Sequence, residues 1–475
     1  MIDLLSAAVG GRVVECNDEF FAEAVNLIAD SDPVWKEGEF TERGKWMDGW
    51  ETRRRREEGH DWCVLALGIP GRVARVTVDT SHFTGNYPDS FSLEGCGVGS
   101  DDRLGDAPWV ELLPSTVLEG DSVAVFEVTE PHRVTYLRFN IYPDGGVARL
   151  RVEGEPVPGW DQVCSEGLVD LASPVVGGEV VEASDTHYSQ PSNLLRPTPS
   201  RGMWDGWETR RRRGPGHDWA IFRLGLPGLV ESVVVDTTHF KGNSPGWVSV
   251  DFSDDGRDWV AGVEMALVRP DTANHVVADP PREAGMVRLS IHPDGGVARF
   301  RVMGRAALGA AGQTRLTYLD SLFPTEATRF FTAACASTRW VGMMAEARPF
   351  ADLESLFQTA EESFEALEED DWLEALAGHP RIGERGDSIS TGEQAGAAQA
   401  DDETRQQLRE VNQAYQERFG FTYIVYATGK TAVEMLAIAL ARLANTRDEE
   451  IANAADEQRR ITMTRLRRMT CQETS

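Results

Sequence analysis

The feature that most constrains this chain is a motif that occurs twice. Asp48-Gly49-Trp50-Glu51-Thr52-Arg53-Arg54-Arg55-Arg56, running on to Gly59-His60-Asp61-Trp62, returns as Asp205-Gly206-Trp207-Glu208-Thr209-Arg210-Arg211-Arg212-Arg213, then Gly216-His217-Asp218-Trp219. Two further stretches keep step with it, and a third recurs later in each copy. Leu67-Gly68-Ile69-Pro70-Gly71 matches Leu224-Gly225-Leu226-Pro227-Gly228, and Asp79-Thr80-Ser81-His82-Phe83 matches Asp236-Thr237-Thr238-His239-Phe240. Tyr142-Pro143-Asp144-Gly145-Gly146-Val147-Ala148-Arg149 returns as His292-Pro293-Asp294-Gly295-Gly296-Val297-Ala298-Arg299. Each unit is a domain long, far beyond the roughly 20–50-residue periods of solenoids and propeller blades. Core packing tolerates exchange among apolar residues and does not select arginines or histidines, so a shared site is the expected reason for the repeat.

Within each copy the apolar pattern is short and alternating. Cys63 to Leu67, Val73 to Val78, Ser122 to Val128 and Thr135 to Ile141 read as strands between Gly, Pro, Asp and Asn turns, the pattern of a β-sandwich or jelly roll. Ala220 to Leu224, Val230 to Val235, Trp247 to Phe252 and Met286 to Ile291 are their counterparts. One helix is expected before them, Asp18 to Ala29. Met303 to Gly312 is small and weakly patterned and reads as a linker. Beyond it the period becomes helical, through Leu353, Leu356, Phe357, Ala360 and Phe364, then Leu408, Val411, Tyr415 and Phe419, then Val433, Leu436, Leu440 and Leu443. The expectation is a multidomain chain: two tandem all-β jelly-roll sandwiches of the galactose-binding-like kind at 1–160 and 161–305, a linker at 306–316, and an all-α domain at 317–475.

The net charge of −30 argues against a nucleic-acid or anionic-membrane partner, because the overall field repels polyanions. No apolar run is long enough to cross a bilayer, and the N-terminus lacks the basic start of a secretory signal, so a soluble cytoplasmic protein is expected. Cys16, Cys63, Cys96, Cys164, Cys335 and Cys471 show no paired spacing. They read as reduced structural thiols.

The doubled motifs resemble the allantoicase family over about residues 1–305. The resemblance implies two jelly-roll domains and the cleavage of allantoate to ureidoglycolate and urea. Allantoate carries a carboxylate and two ureido groups on one carbon, so its site needs a cation fork and several amide-directed partners. An arginine guanidinium donates two parallel hydrogen bonds to a carboxylate, which makes Arg53, Arg55, Arg210 and Arg212 the expected substrate-binding cations. Proton delivery to the leaving nitrogen falls to His and Asp, from a pool of His60, Asp61, Asp79 and His82, with His217, Asp218, Asp236 and His239 in the second copy. For each His-Asp pair a buried polar network tying strands together is an equal reading. Trp50, Trp62, Trp207 and Trp219 are more readily core anchors than substrate platforms. No cofactor is expected; a divalent metal held by His60, His82 and a carboxylate stays open, since the spacing is not diagnostic.

The helical part is similar to a second family, the decarboxylase of 2-oxo-4-hydroxy-4-carboxy-5-ureidoimidazoline (OHCU). The carrying motifs are Ala347-Arg348-Pro349-Phe350, Gly378-His379-Pro380-Arg381-Ile382-Gly383, Ser390-Thr391-Gly392-Glu393-Gln394, Phe419-Gly420-Phe421 leading to Gly429-Lys430, and Ile461-Thr462-Met463-Thr464-Arg465-Leu466. The resemblance implies His379 as acid-base residue, oriented by Glu393, with Pro380 beside the substrate. It implies Ser390, Gln394 and the backbone of Tyr423, Ile424, Val425, Tyr426 and Ala427 around the ring and ureido group, and Arg465 on a carboxylate or carbonyl. Histidine suits the role because its ordinary pKa lies nearest neutrality, and ring delocalisation removes the need for a cofactor. Taken alone, a histidine at a helix end before proline caps carbonyls; the surrounding motif favours catalysis.

Both resemblances point to urate breakdown, with small molecules, allantoate and OHCU, as partners. The two steps are not consecutive, because allantoin must be opened by a separate hydrolase between them. A homo-oligomer, or a complex with that hydrolase, is the expected assembly. The competing reading makes the sandwich pair a non-catalytic ligand-binding module attached to the decarboxylase, since jelly rolls host many functions.

Overall fold

The computed structural model describes residues 1–98, 104–159, 167–379 and 402–470. It divides into two compact units, Met1–Ser321 and Leu322–Ser475.

The first unit holds the two repeats. In the first lie β1 (Ile2–Asp3), β2 (Arg12–Cys16), β3 (Trp50–Glu51), β4 (Asp61–Asp79), β5 (Ser90–Cys96), β6 (Val110–Val117), β7 (Val123–Glu127), β8 (Arg133–Tyr142), β9 (Gly146–Val147) and β10 (Arg149–Pro156). The antiparallel order is β1-β10-β4-β8-β5-β6, with β2 and β7 also on β4. The second repeat follows the same plan: β11 (Val169–Asp170), β12 (Glu179–Ala183), β13 (Trp207–Glu208), β14 (Asp218–Asp236), β15 (Trp247–Ser253), β16 (Val260–Leu267), β17 (Ala273–His292), β18 (Gly296–Val297) and β19 (Arg299–Ala306), ordered β11-β19-β14-β17-β15-β16 with β12 on β14.

Strand β4 joins two runs that the sequence reads as separate strands. Its first part pairs with β8, Asp61 against Ile141, and its second with β10, Asp79 against Arg149. The register slips at Gly68-Ile69-Pro70-Gly71, where other backbone comes too close for a side chain: a Cβ on Gly68 would lie 2.4 Å from Gly11 N, and one on Gly71 2.2 Å from Glu155 O. Because Tyr142 to Arg149 is a short connection, both ends of β4 come to one end of the sandwich. Leu65, Leu93, Leu137, Phe139, Ile141, Val76 and Leu150 fill the interior between them.

Two expectations change. Asp18 to Ala29 is not an α-helix; only Ala24–Ile28 turns, as a short 3-10 segment. The Asp18 carboxylate accepts from Phe20 N at 3.1 Å, and Ala22 bridges to Glu51, so side-chain and strand bonds take the backbone groups a helix would use. The stretch expected as a linker continues β19 to Ala306 and then forms helix α1 (Leu308–Asp320), packed within the first unit. It buries one side through Ala311, Gly312, Leu316 and Leu319. Cys16 and Cys63 face each other across β2 and β4 as free thiols. Burial, with Glu19 nearby, pushes the Cys16 thiol up to about 11, which keeps it protonated and unreactive.

The second unit is helical: α2 (Pro324–Ala334), α3 (Thr338–Glu346), α4 (Leu353–Glu365), α5 (Glu369–Ala377), α6 (Asp402–Phe419), α7 (Ala432–Arg442) and α8 (Arg447–Met469). Thr431 with Glu434 and Thr446 with Glu449 form capping boxes that fix the starts of α7 and α8. The apolar stripes of α6 and α7 meet in a core of Leu408, Tyr415, Phe419, Met435 and Ile451. Among the described residues no helix is long and apolar enough to cross a membrane.

Candidate functional site

The repeated motifs lock to one another. Arg149 Nη2 donates to Asp48 Oδ2 at 2.9 Å, Trp50 pairs in register with Val147 and Glu51 with Gly146, Gly145 N donates to Thr52 Oγ1 at 3.1 Å, and Arg55 N donates to Asp144 at 2.9 Å. Asn86, three residues beyond the Asp79–Phe83 motif, donates to Glu51 at 2.7 Å. The second repeat repeats each bond: Arg299 to Asp205 at 2.9 Å, Gly295 N to Thr209 at 3.1 Å, Arg212 N to Asp294 at 2.6 Å and Asn243 to Glu208 at 2.7 Å. Gly49 is required because a Cβ there would lie 2.5 Å from Val147 O. Trp50 and Trp207 are wholly buried, each donating its indole N–H to a carbonyl, of Asp18 and Asp185, at 2.8 Å.

The arginines expected to hold substrate are engaged by the fold. Arg53 pairs with Asp18 at 2.6 Å and Arg210 with Asp185 at 2.7 Å. Arg55 pairs with Asp61 at 2.6 Å, and Arg212 with Asp218. Asp61 is 1% exposed and also accepts from Asn17 at 2.9 Å, while Asp218 accepts from Ser184 at 3.1 Å. These two aspartates therefore sit in buried networks. Asp79 and Asp236 cap turns, accepting from Ser81 N and Thr238 N at 2.8 Å. His82 and His239 hold positive φ angles of 72° and 75°, a conformation that costs a non-glycine residue free energy. Each has its backbone N–H anchored on an aspartate, Asp121 at 2.8 Å and Asp271 at 2.9 Å. The His82 ring lies 5.7 Å from that of Trp35, and His239 Nε2 is 3.0 Å from Ser200 O.

A cavity of about 630 Å³ opens on the outer face of the first repeat's sheet. Its lining includes His60 and Trp62, and none of Arg53, Arg55, Asp61 or His82. The floor comes from strand alternation: Arg138, Asn140 and Tyr142 of β8 point outward opposite Glu94 and Ser92 of β5, while Leu137, Phe139 and Ile141 point to the core. The guanidinium of Arg138 lies 4.4 Å over the Trp109 ring, its Nη1 3.5 Å from Glu94 Oε2. Asn140 Nδ2 donates to Ser92 Oγ at 3.1 Å and to Glu94 Oε2 at 3.2 Å. The His60 ring stacks 4.7 Å from Tyr142, whose hydroxyl is 2.9 Å from Ser92 Oγ. Trp62 thus belongs to the cavity and not to the core. Sequence reasoning missed Arg138, Asn140, Glu94 and Trp109. The signal was present: a polar face on an otherwise apolar strand, with the arginine recurring as Arg288.

The second repeat carries a variant of this face. Arg288 donates to Asp251 from both Nε at 3.1 Å and Nη2 at 2.8 Å, and stacks 4.8 Å over Trp259. His217 and His292 rings lie 4.4 Å apart, and His292 Nε2 is 3.1 Å from Ser249 Oγ. Burial and the neighbouring His217 lower the His292 pKa. Among the described residues no three His, Cys, Asp or Glu side chains gather as a metal cluster.

In the second unit, His379 follows the end of α5, its N–H donating to Leu376 O at 3.2 Å, with the side chain half-buried. Pro380, Ser390, Glu393 and Gln394 lie outside the described residues. The chain between α2 and α3 packs against both the end of α5 and α8: a Cβ on Gly378 would lie 2.6 Å from that of Ala336, and the Cys335 thiol meets Thr462 and the charge of Arg465. Arg465 is buried on α8. Tyr423, Ile424 and Val425 lie in the core, and Arg442 holds Ile424 O at 3.1 Å. Tyr426 and Ala427 are half-buried beside α8; Tyr426 N donates to Glu457 at 2.7 Å, and Thr464 Oγ1 to Tyr426 Oη at 3.4 Å. A buried Glu450, bonded by Arg442 Nε at 2.6 Å, Asn445 Nδ2 at 2.7 Å and the Tyr415 hydroxyl, holds this end of the domain together.

Residues 2–157 and 169–307 match the family model described as the allantoicase repeat, and residues 320–467 that of OHCU decarboxylase. A probable allantoicase of Stutzerimonas stutzeri is 45% identical over 317 residues, covering 64% of this chain and 96% of that one. The crystal structure of allantoicase from Saccharomyces cerevisiae aligns with a TM-score of 0.55 and 33% identity over 64% of this chain and 92% of that one. A crystal structure of OHCU decarboxylase in the presence of (S)-allantoin aligns over 29% of this chain and 94% of that one, at 31% identity and a TM-score of 0.27; the family model carries the assignment of that region.

Proposed function

We propose how the work is divided in a chain that belongs to the allantoicase family and carries an OHCU decarboxylase domain behind its two repeats. It is an enzyme of urate catabolism with two activities: allantoate is hydrolysed to ureidoglycolate and urea, and OHCU is decarboxylated to allantoin. The allantoate site in this reading is the cavity of the first repeat. The observation that carries it is the meeting of a cation, a titratable imidazole and amide-directed groups in one concave, half-enclosed space of small-ligand size.

The hydrolysis adds a water oxygen to the central carbon, breaks its bond to one ureido nitrogen and delivers a proton to that nitrogen as urea leaves. His60, on the cavity wall beside Tyr142, is the group that moves the proton. Asp61 and Asp218 act behind the sheet as partners of Arg55 and Arg212 and are positioning residues in this reading. Neither half is assigned a cofactor: the proton traffic of the first falls to side chains, and the second stabilises its carbanion in the ring.

In the helical domain His379 protonates the carbon that loses carbon dioxide, with Arg465 on the substrate's negative charge and Glu393, Ser390 and Gln394 around it. The enzyme is proposed to work in the cytoplasm as a homo-oligomer or beside the hydrolase that opens allantoin. Urea release from allantoate by the full chain, with and without chelator, tests the first assignment. Urea in both conditions supports it, a requirement for added manganese transfers the role to a metal site, and no urea in either leaves the sandwich pair a binding module.

A further inference from the structure

Asn140 lines the cavity although only 4% exposed, and among the described residues its buried Oδ1 has no hydrogen-bond partner while its Nδ2 has two. A buried acceptor left unpaired costs free energy, and a small turn of the side-chain amide would offer it to an N–H or O–H donor in the cavity that Asn140 lines. Two residues away, on the same face of β8, Arg138 has a single long bond at 3.5 Å among the described residues. Its plane is fixed on Trp109 while most of its donors stay unused. The remaining charged lining, Glu15, Glu94 and Glu111, is all acceptor. A ligand that fits presents several N–H donors and one anionic group, which describes a ureido acid.

The second repeat lacks both halves of this arrangement. Ser290 stands where Asn140 stands, each opposite a serine of the neighbouring strand, and Arg288 spends two bonds on Asp251. Leu104, Gly105 and Trp109 of the cavity wall lie between β5 and β6, which are separated by residues 97–109 in sequence, against 254–259 between β15 and β16. Resting on the allantoate reading above, we infer that Asn140 and Arg138 are the substrate-recognition pair of the chain, the Asn140 side-chain amide bonding a ureido group and Arg138 holding the carboxylate, and that the first repeat alone binds substrate.

The test is an equilibrium titration of allantoate, and of its uncharged amide, into the full chain and four variants: Asn140→Ser, Arg138→Lys, Ser290→Ala and Arg288→Lys. Asn140→Ser installs the residue that the same fold already accepts in the second repeat, so it keeps the fold, as an unchanged melting temperature verifies. The expected result is a loss of about ten- to a hundredfold in affinity for Asn140→Ser. Arg138→Lys is expected to weaken allantoate more than the amide, because the fork and not the charge alone is removed. Ser290→Ala and Arg288→Lys should bind as the parent does. Undiminished binding by Asn140→Ser, or equal losses from the second-repeat variants, overturns the inference, as does absence of allantoate binding to the parent. Binding without urea release refutes the catalytic reading while leaving the recognition pair standing.

Discussion

Arg299 donates to Asp205 at 2.9 Å with both side chains almost wholly buried, joining the start of one repeated motif to the end of another. Burial pushes the Asp205 carboxyl up, but the Arg201 N–H at 3.0 Å and the guanidiniums of Arg299 and Arg196 outweigh it and hold the carboxyl below its usual range. Asp205→Ala leaves Arg299 charged and unpaired in the interior. The expected cost is about 3–5 kcal/mol, read as a lowered urea midpoint for the first unit. A cost below about 1 kcal/mol would show that water reaches the pair.

Burial of His292, with His217 against it, is expected to make the second repeat acid-sensitive. Burial and the proximity of His217 lower the His292 pKa from 6.5, so on acidification the unfolded chain takes up a proton that the folded one refuses. Stability is therefore flat above about pH 6.5 and falls as pH drops from there toward the folded value. His292→Tyr, the residue at the matching place in the first repeat, should flatten the melting temperature between about pH 5 and 6.5. An unaltered slope would assign the sensitivity to another group.

His379→Asn should cut OHCU decarboxylation by about 10²–10⁴-fold, the usual worth of a general acid, and leave urea release from allantoate unchanged. Both rates are measured on one preparation. A parallel fall in the two would mean that the substitution damages folding and not chemistry.

Glu450→Ala removes the carboxylate shared by Arg442, Asn445 and Tyr415, leaving the buried Arg442 charge near Tyr423 with only the more distant Glu457, at 3.8 Å, to pair it among the described residues. About 3–5 kcal/mol of stability is expected to go with it. Differential scanning calorimetry should show the loss in the helical unit, with the sandwich transition in place.

Much of this molecule can be read from its residues, and the most conspicuous of them tie strands together while His60 and Trp62 of the same motif line the cavity. The alternation of apolar residues in 63–67 and 135–141 located strands correctly, and the period of 353–364 and 433–443 located helices α4 and α7. The long polar motif containing Asp48, Trp50, Thr52 and Arg55 looked like a site because packing does not select such residues. It is a lock, selected by hydrogen-bond geometry as strictly as a site would be. The cavity was obscure for the opposite reason: Asn140 and Arg138 are single polar residues on ordinary strands. Only the register opposite Ser92 and Glu94 shows what they face. Asp18 to Ala29 misled because its apolar spacing suits a helix, whereas Asp18 and Ala22 spend their bonds elsewhere.

The lock has a consequence for how the chain is made. Asp48 meets Arg149 and Asp205 meets Arg299 through the same bond, so Asp48 with Arg299 would satisfy the same chemistry, and the tandem arrangement carries its own wrong answer. Order of emergence removes it. At synthesis rates of about 5–20 residues per second, Arg149 reaches Asp48 on the order of ten seconds before Arg299 exists. A chain diluted from denaturant has no such head start, so crossed repeats should accumulate in the test tube far more than on the ribosome.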